Sequence, residues 1–290
     1  MSQHDTLCFV DVGGTKVDFC VVTANHESSD ISFDSLCRDT AKTPLTSPDL
    51  VHLIAHYAKE SGAQKVIIGL PGAVPTHPSP DYEVYLPPCG FSITSRSFEQ
   101  EISNVKLMND MQVLSGLLRG RLNESIVLPI DFRVSNEPYL SSMRKGLLTF
   151  GTSVGFILSV FSDSSTNRVE IPLELAHRRQ PSRFTLGEAE TLMEIFDGRK
   201  VIRTSHDEQF FIREAAVLVE NLTKEYSLDE IYIGGGRRCF FEKHLDYFSS
   251  VVGKILVGRR EIANRSVVFI LKSGADLFAE SAKRLAADFL

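Results

Sequence analysis

The run Lys65-Val-Ile-Ile-Gly-Leu-Pro-Gly72 places the tightest constraint on the fold. It carries no polar side chain after Lys65, and a Pro-Gly break ends it. A strand that is apolar at every position must be covered on both faces. In a water-soluble fold that is the situation of a parallel strand between layers of helix. The run therefore predicts a layered α/β architecture rather than a sandwich or a bundle.

The rest of the chain agrees. LCFVDV (7–12) and VDFCVVT (17–23) read as strands around a short turn, so the first sheet is mixed. Residues 47–62 read as a helix capped by Ser47, with Leu50, Leu53, Ile54 and Tyr57 at helical spacing. The proline-rich stretch 74–90 reads as a long loop. A strand is expected at 104–110, followed directly by a helix. Residues 146–161 read as a hairpin with a small-residue turn from Gly151 to Gly155, and 169–177 as a strand with a polar end. A helix is expected over 184–198, with Thr185 and Glu188 as its capping box and Gly198 as its stop. A long amphipathic helix follows at 206–227, then strands at 229–236 and 266–272, and a closing helix at 275–290. The best break between domains falls near residue 110.

Composition narrows the function classes. At 290 residues the chain can bury one large core or two ordinary ones. A net charge of −6 gives no basic footprint for nucleic acid. No stretch approaches the ~18 apolar residues of a membrane span, and the N-terminus MSQHDT has no secretory pattern. The five cysteines are scattered and odd in number, which predicts a reducing, cytoplasmic setting.

Three glycine-rich turns follow strands: Asp11-Val-Gly-Gly-Thr-Lys16, Phe150-Gly-Thr-Ser-Val-Gly155 and Ile233-Gly-Gly-Gly236. Glycine leaves backbone N–H groups open to an anion. Each alone is more often a structural turn. Neither a GxxxxGK[ST] nor a GxGxxG pattern is present, which removes the P-loop and weakens the dinucleotide reading.

Taken in order, DVGGTK, GLPGAV (69–74), MND (108–110), FGTSVG, ELAH (174–177) and IGGG resemble the hexokinase-like sugar kinases, with the bacterial glucokinase and ROK group nearest. That resemblance implies the two-lobed, ribonuclease H-like or actin-like ATPase fold, with mixed sheets and an interlobe cleft. It implies a small lobe, 1–110, completed by the helix 275–290, and a larger lobe, 111–274. It implies ATP and Mg²⁺, with Asp11 facing the ion through water or phosphate. Gly13, Gly14, Thr15 and Lys16 would form a first phosphate loop, and Gly151, Thr152, Ser153 and Gly155 a second. Gly234, Gly235 and Gly236 would lie against the adenosine. Asp110 would take the proton of a sugar hydroxyl, the 6-hydroxyl of a hexose such as glucose. Its plain alternative is to cap the helix beginning at Met111. Asn109, Glu174, His177 and Glu188 would hold the sugar, with Glu190 and Glu194 as alternatives to Glu188. A homodimer and a place in glycolysis are implied by the same likeness.

Three departures from the family pattern stand out. The interval after the E-x-x-H, RRQPSRFTLGEAE, holds no cysteine, so no structural zinc is expected. The loop 84–92, VYLPPCGFS, lacks the asparagine and tryptophan that shape the sugar pocket, leaving the choice of hexose or N-acetylated amino sugar open. The second phosphate turn carries the bulky Phe156. These features keep a second expectation alive, a non-catalytic or regulatory sugar-binding relative. The basic run 177–183 reads as a solvated loop, with Arg178 or Arg179 as possible anion contacts.

Overall fold

A computed structural model describes residues 5–25, 32–75, 78–120, 122–131, 144–151, 154–161, 168–175, 179–180, 190–196, 202, 204–257 and 267–290. The chain divides into two compact units. Unit 1 is Met1–Arg119 with Asp276–Leu290, and unit 2 is Gly120–Ala275.

Unit 1 is built on five strands: β1 (Asp5–Val12), β2 (Lys16–Asn25), β3 (Ser32–Lys42), β4 (Lys65–Leu70) and, after the short pair β5 (Val84–Leu86) and β6 (Phe91–Ile93), β7 (Val105–Asn109). Their order is β3-β2-β1-β4-β7. The strands β1, β4 and β7 run parallel, while β2 and β3 are antiparallel neighbours. Alternation along β4 shows why its sequence is apolar throughout. Val66, Ile68 and Leu70 bury on one face with Leu50 and Ile54 of the helix α1 (Ser47–Glu60). Ile67 buries on the other with Phe278, Ala282 and Leu285. The expected buried parallel strand is therefore present, roofed on both sides.

After β7 come the short helix α2 (Asp110–Leu114) and a 3₁₀ turn, Ser115–Leu118. This segment stays with unit 1, where the Ser281 hydroxyl donates to the Val113 carbonyl at 2.6 Å.

Unit 2 holds β8 (Val127–Asp131), β9 (Arg144–Phe150), β10 (Val154–Phe161) and β11 (Arg168–Glu174). The two-residue strands β12 (Arg179–Gln180) and β13 (Glu190–Thr191) pair with each other, and α3 (Leu192–Ile195) follows them. The chain continues as α4 (Ser205–Tyr226), β14 (Glu230–Gly234), α5 (Arg238–Lys243), α6 (Leu245–Val257) and β15 (Val267–Leu271). The sheet order is β11-β10-β9-β14-β15-β8. Here β9, β14 and β15 are parallel and β10 and β11 antiparallel, so unit 2 repeats the topology of unit 1 and adds β8 at one edge. Rings fill its core: Phe150 lies 4.9 Å from Phe196, 5.3 Å from Phe211 and 5.5 Å from Phe241. The closing helix, α7 (Leu277–Ala286), returns to unit 1. Among the described residues no helix is long and apolar enough to cross a membrane.

Several local expectations are corrected. Thr46, not Ser47, caps α1, accepting from the N–H of Asp49; Pro48 sits in the first turn, where its missing N–H costs nothing. The stretch 74–90 is not all loop, since β5 pairs with β6. Glu190 and Thr191 are extended, so the helix expected over 184–198 is confined, among the described residues, to α3. Its capping box is Thr191 with Glu194, a second T-x-x-E six residues after the expected one. The first box, Thr185 with Glu188, lies outside the described residues. Phe156 is wholly buried in the unit 2 core, where Gly146 leaves room for its ring.

One buried charge pair ties the start of unit 2 to its sheet. Lys145 Nζ lies 2.9 Å from the Glu230 carboxylate and donates to the Gly120 carbonyl at 3.0 Å. The Tyr232 hydroxyl donates to the same Glu230 carboxylate at 2.9 Å. Removing one partner of such a pair strands the other charge. Lys145→Ala should lower the unfolding free energy by about 3 kcal/mol or more, measured by urea denaturation.

Candidate active site

Three parallel strands of unit 1 end side by side. In register, Asp11 on β1 lies beside Gly69 on β4, and Gly69 beside Met108 on β7. Asp11 and the Asn109–Asp110 pair thus leave the same edge of the sheet, the carboxyl edge at which open α/β sheets take their ligands.

The β1–β2 turn is held from two sides. Gly13 N–H donates to the Lys16 carbonyl at 2.8 Å and closes it. Thr43, just beyond β3, donates its backbone N–H to the Thr15 carbonyl at 3.2 Å and its hydroxyl to the Gly13 carbonyl at 2.7 Å. On another side stands Pro88 of the β5–β6 turn: a Cβ on Gly14 would fall 2.5 Å from the proline Cβ. Gly14 is thus required by contact within the protein. Among the described residues nothing accepts from the N–H groups of Gly14 and Thr15.

Electrostatics set this corner apart. The carboxyl of Asp11 is pushed up to about 7 from an ordinary value of 3.8, first by burial, then by the negative charges of Asp110 and Asp18, against Lys16 and Arg38. Lys16 Nζ lies 2.6 Å from the buried Asp18, which also accepts from the Thr40 hydroxyl at 2.6 Å. A carboxyl crowded by other carboxyls is one that a cation would relieve. Among the described residues no group of three or more His, Cys, Asp or Glu is arranged to hold a metal. Mg²⁺ bound through one carboxylate, water and phosphate oxygens needs no such group, so Asp11 fits that ion.

Asn109 and Asp110 divide their roles. Asn109 is buried and caps α2, accepting from the Met111 N–H at 3.0 Å, with Gln112 completing the capping box. Its amide nitrogen donates to the Gly72 carbonyl at 2.9 Å, which pins the loop after β4. Asp110 is the first helical residue and half-buried; its carboxylate accepts from the Met111 N–H at 2.8 Å. Gly69 gives α2 its close seat, since a Cβ there would lie 2.6 Å from Val113.

In unit 2 two glycine turns meet at the ends of β9 and β14. Gly234 pairs with Thr149 in register, and Gly235 lies against Phe150, the residue before Gly151. Gly235 has φ +89°, and a Cβ there would come within 2.4 Å of the Phe150 carbonyl oxygen. Gly236 faces open space. Arg238 fastens this turn to the segment after β15, donating to the carbonyls of Lys272, Ser273 and Ala275 at 3.0, 2.9 and 3.0 Å. Gly155 pairs with Glu174, which brings the backbone of that glutamate to the second turn. The side chains of Glu174 and Glu190, and residues Thr152, Ser153, His177, Arg178 and Glu188, lie outside the described residues, as does the side chain of Arg179. Glu194 is engaged by Thr191, accepting from its hydroxyl at 2.8 Å.

No protein-family model matches the chain, and no curated protein matches it by sequence. Solved structures match it in three dimensions. A glucokinase from an Antarctic psychrotroph superposes with a TM-score of 0.72 at 13% identity, covering 99% of this chain and 100% of that one. A Balamuthia mandrillaris glucokinase in complex with glucose gives 0.71 at 12% identity, covering 98% and 94%. A ROK family glucokinase from Streptomyces griseus, in complex with glucose and AMPPNP, gives 0.61 at 16%, covering 98% and 99%.

The chain has the fold of the glucokinases and ROK-family sugar kinases. Within that actin-like ATPase fold, unit 1 gathers Asp11, the Gly13–Lys16 turn, Asn109 and Asp110 at one sheet edge, and unit 2 gathers Gly151, Gly155 and Gly234–Gly236. Sequence reading missed Thr43, Pro88 and Arg238. The threonine and the proline follow no motif of their own, and the arginine stands two residues after the triple glycine.

Two measurements test these assignments. The folded Asp11 carboxyl binds its proton more tightly than the unfolded one. Its stabilising contribution is therefore whole below about pH 3.8 and lost as pH rises through about 7. Asp11→Asn cannot ionise, so in EDTA its unfolding free energy should gain on wild type by about 1–3 kcal/mol between about pH 5 and about pH 8. A flat difference refutes the crowded carboxyl. In unit 2, Gly235→Ala should cost about 2–4 kcal/mol and Gly236→Ala under about 1 kcal/mol, read by thermal unfolding.

Proposed function

We propose that this chain is an ATP-dependent sugar kinase of the glucokinase kind, which transfers the γ-phosphate to the 6-hydroxyl of a hexose with Asp110 as general base. The observation that carries the reading is the place of Asp110 at the end of β7: a half-buried carboxylate at the first position of α2, on the same sheet edge as Asp11 and close enough for its charge to act on Asp11. The structural likeness to glucokinases supports the reaction class.

The chemistry follows from the residue types. A sugar hydroxyl has too high a pKa to ionise unaided, and a carboxylate in hydrogen-bond reach accepts its proton as the new bond forms. The hydroxyl oxygen bonds to the γ-phosphorus, the bond from that phosphorus to the bridging oxygen breaks, ADP leaves, and the proton resides on Asp110. The N–H groups of Gly14 and Thr15, which donate to nothing among the described residues, suit phosphate oxygens as donors. Asp11 would hold Mg²⁺, which when bound neutralises charge on the phosphates. The glycines at 234–236 would line the adenosine with backbone free of side chains. Glu174, His177 and Glu188 remain the proposed sugar contacts. Glucose leads as acceptor, ahead of other hexoses and N-acetylated amino sugars.

An ADP-release assay over a panel of hexoses tests this. Turnover should appear on at least one sugar, and Asp110→Asn should reduce kcat by roughly 100-fold or more with the unfolding midpoint kept. Turnover on no sugar defeats the kinase reading and leaves a non-catalytic sugar-binding protein. Full turnover in the variant removes Asp110 as the base.

A further inference from the structure

Thr43 stands outside every motif of the sequence, yet it is the residue that fixes the first glycine turn. It is buried, it lies just past the end of β3, and it holds two carbonyls of the turn at once. The geometry has a direct consequence. In a planar trans peptide the C=O and the following N–H point in opposite directions. Drawing the Gly13 carbonyl onto the Thr43 hydroxyl at 2.7 Å therefore turns the Gly14 N–H the other way. The second bond, from Thr43 N–H to the Thr15 carbonyl, fixes the far side of the same turn. Pro88 packs close against Gly14 on another side of the turn.

We infer that Thr43 is a positioning residue for the nucleotide: its hydroxyl holds the turn so that the Gly14 N–H is presented to a phosphate oxygen of ATP. Thr43 itself touches no substrate. Its effect passes through one peptide unit, so it bears on nucleotide affinity and not on the sugar. This rests on the sugar-kinase reading, in which the Gly13–Lys16 turn receives phosphate.

Two substitutions isolate the hydroxyl. Thr43→Val keeps the shape and removes the donor, and Thr43→Ser keeps the donor and removes a methyl. In the full chain, Thr43→Val should raise the KM for ATP and the calorimetric Kd for ADP with Mg²⁺ by roughly fivefold or more, the loss expected for one hydrogen bond. The KM for sugar should stay within about twofold, and Thr43→Ser should restore nucleotide binding to within about twofold of wild type. If Thr43→Val does not fold, Thr43→Ala removes the same donor without setting a methyl against the Gly13 carbonyl, and the same criteria apply. Unchanged ADP affinity in the donor-less variant overturns the inference. So does a parallel loss of sugar and ATP affinity that serine fails to restore, since that marks a merely structural residue. If the wild-type chain turns over no sugar, the kinase reading falls while the ADP titrations still decide Thr43; wild-type protein that binds no ADP overturns both.

Discussion

Carboxylates gathered at one sheet edge repel each other, and unit 1 is arranged around that repulsion. Asp11, on a central strand, feels both Asp110 and Asp18, and burial adds to the cost of its charge. Asp18 is relieved locally by Lys16 and Thr40, and more distantly by Arg38, 3.7 Å away. Arg38 also pairs with Asp276, the residue that caps α7 through the Ala279 N–H, and lies 5.1 Å over the ring of Phe278. The compensation of charge beside the turn is thus tied to the helix that brings the end of the chain back to unit 1. Asp11 keeps the residual tension, which a cation or a proton relieves.

The two units use one strand topology, and each holds a glycine turn at a strand end by a different device. In unit 1 the turn between β1 and β2 is pinned through its carbonyls by Thr43 and packed by Pro88. In unit 2 the triple glycine is pinned by its own backbone, with Gly235 at positive φ against Phe150 and Arg238 gripping the carbonyls after β15. Both devices leave N–H groups at a strand end, which is what an anion needs. The likeness of form between residues 7–23 and 146–161 is the visible trace of this repeated topology.

Much of this was legible because it is written in local pattern. The apolar run at 65–70 named a buried parallel strand, and alternating burial on β4 explains why. The capping power of Asn109 and Gln112 was equally local; the sequence offered Asp110 as the cap instead, and in the structure both Asn109 and Asp110 accept from the Met111 N–H, with Gln112 completing the box on Asn109. Illegible pieces share a cause. β3 is polar along most of its length, and pairing with β2 sets its place in the sheet. The same holds for the capping box of α3, where two T-x-x-E patterns lie six residues apart and the pairing of β12 with β13 runs up to the second, at which the helix starts.

By itself the sequence determined the fold class, the strand-and-turn order, and the acids and glycines that a phosphate-handling site would need. These follow from periodicity and backbone freedom, which act over a few residues. Tertiary structure alone decided which glycines are indispensable and which side chains hold them. Gly14 is required by Pro88, Gly235 by Phe150, and the orientation of the first turn by Thr43. The reason is physical: steric exclusion and hydrogen bonding act between atoms a few ångströms apart in space, and here those atoms are about thirty to eighty-five residues apart along the chain.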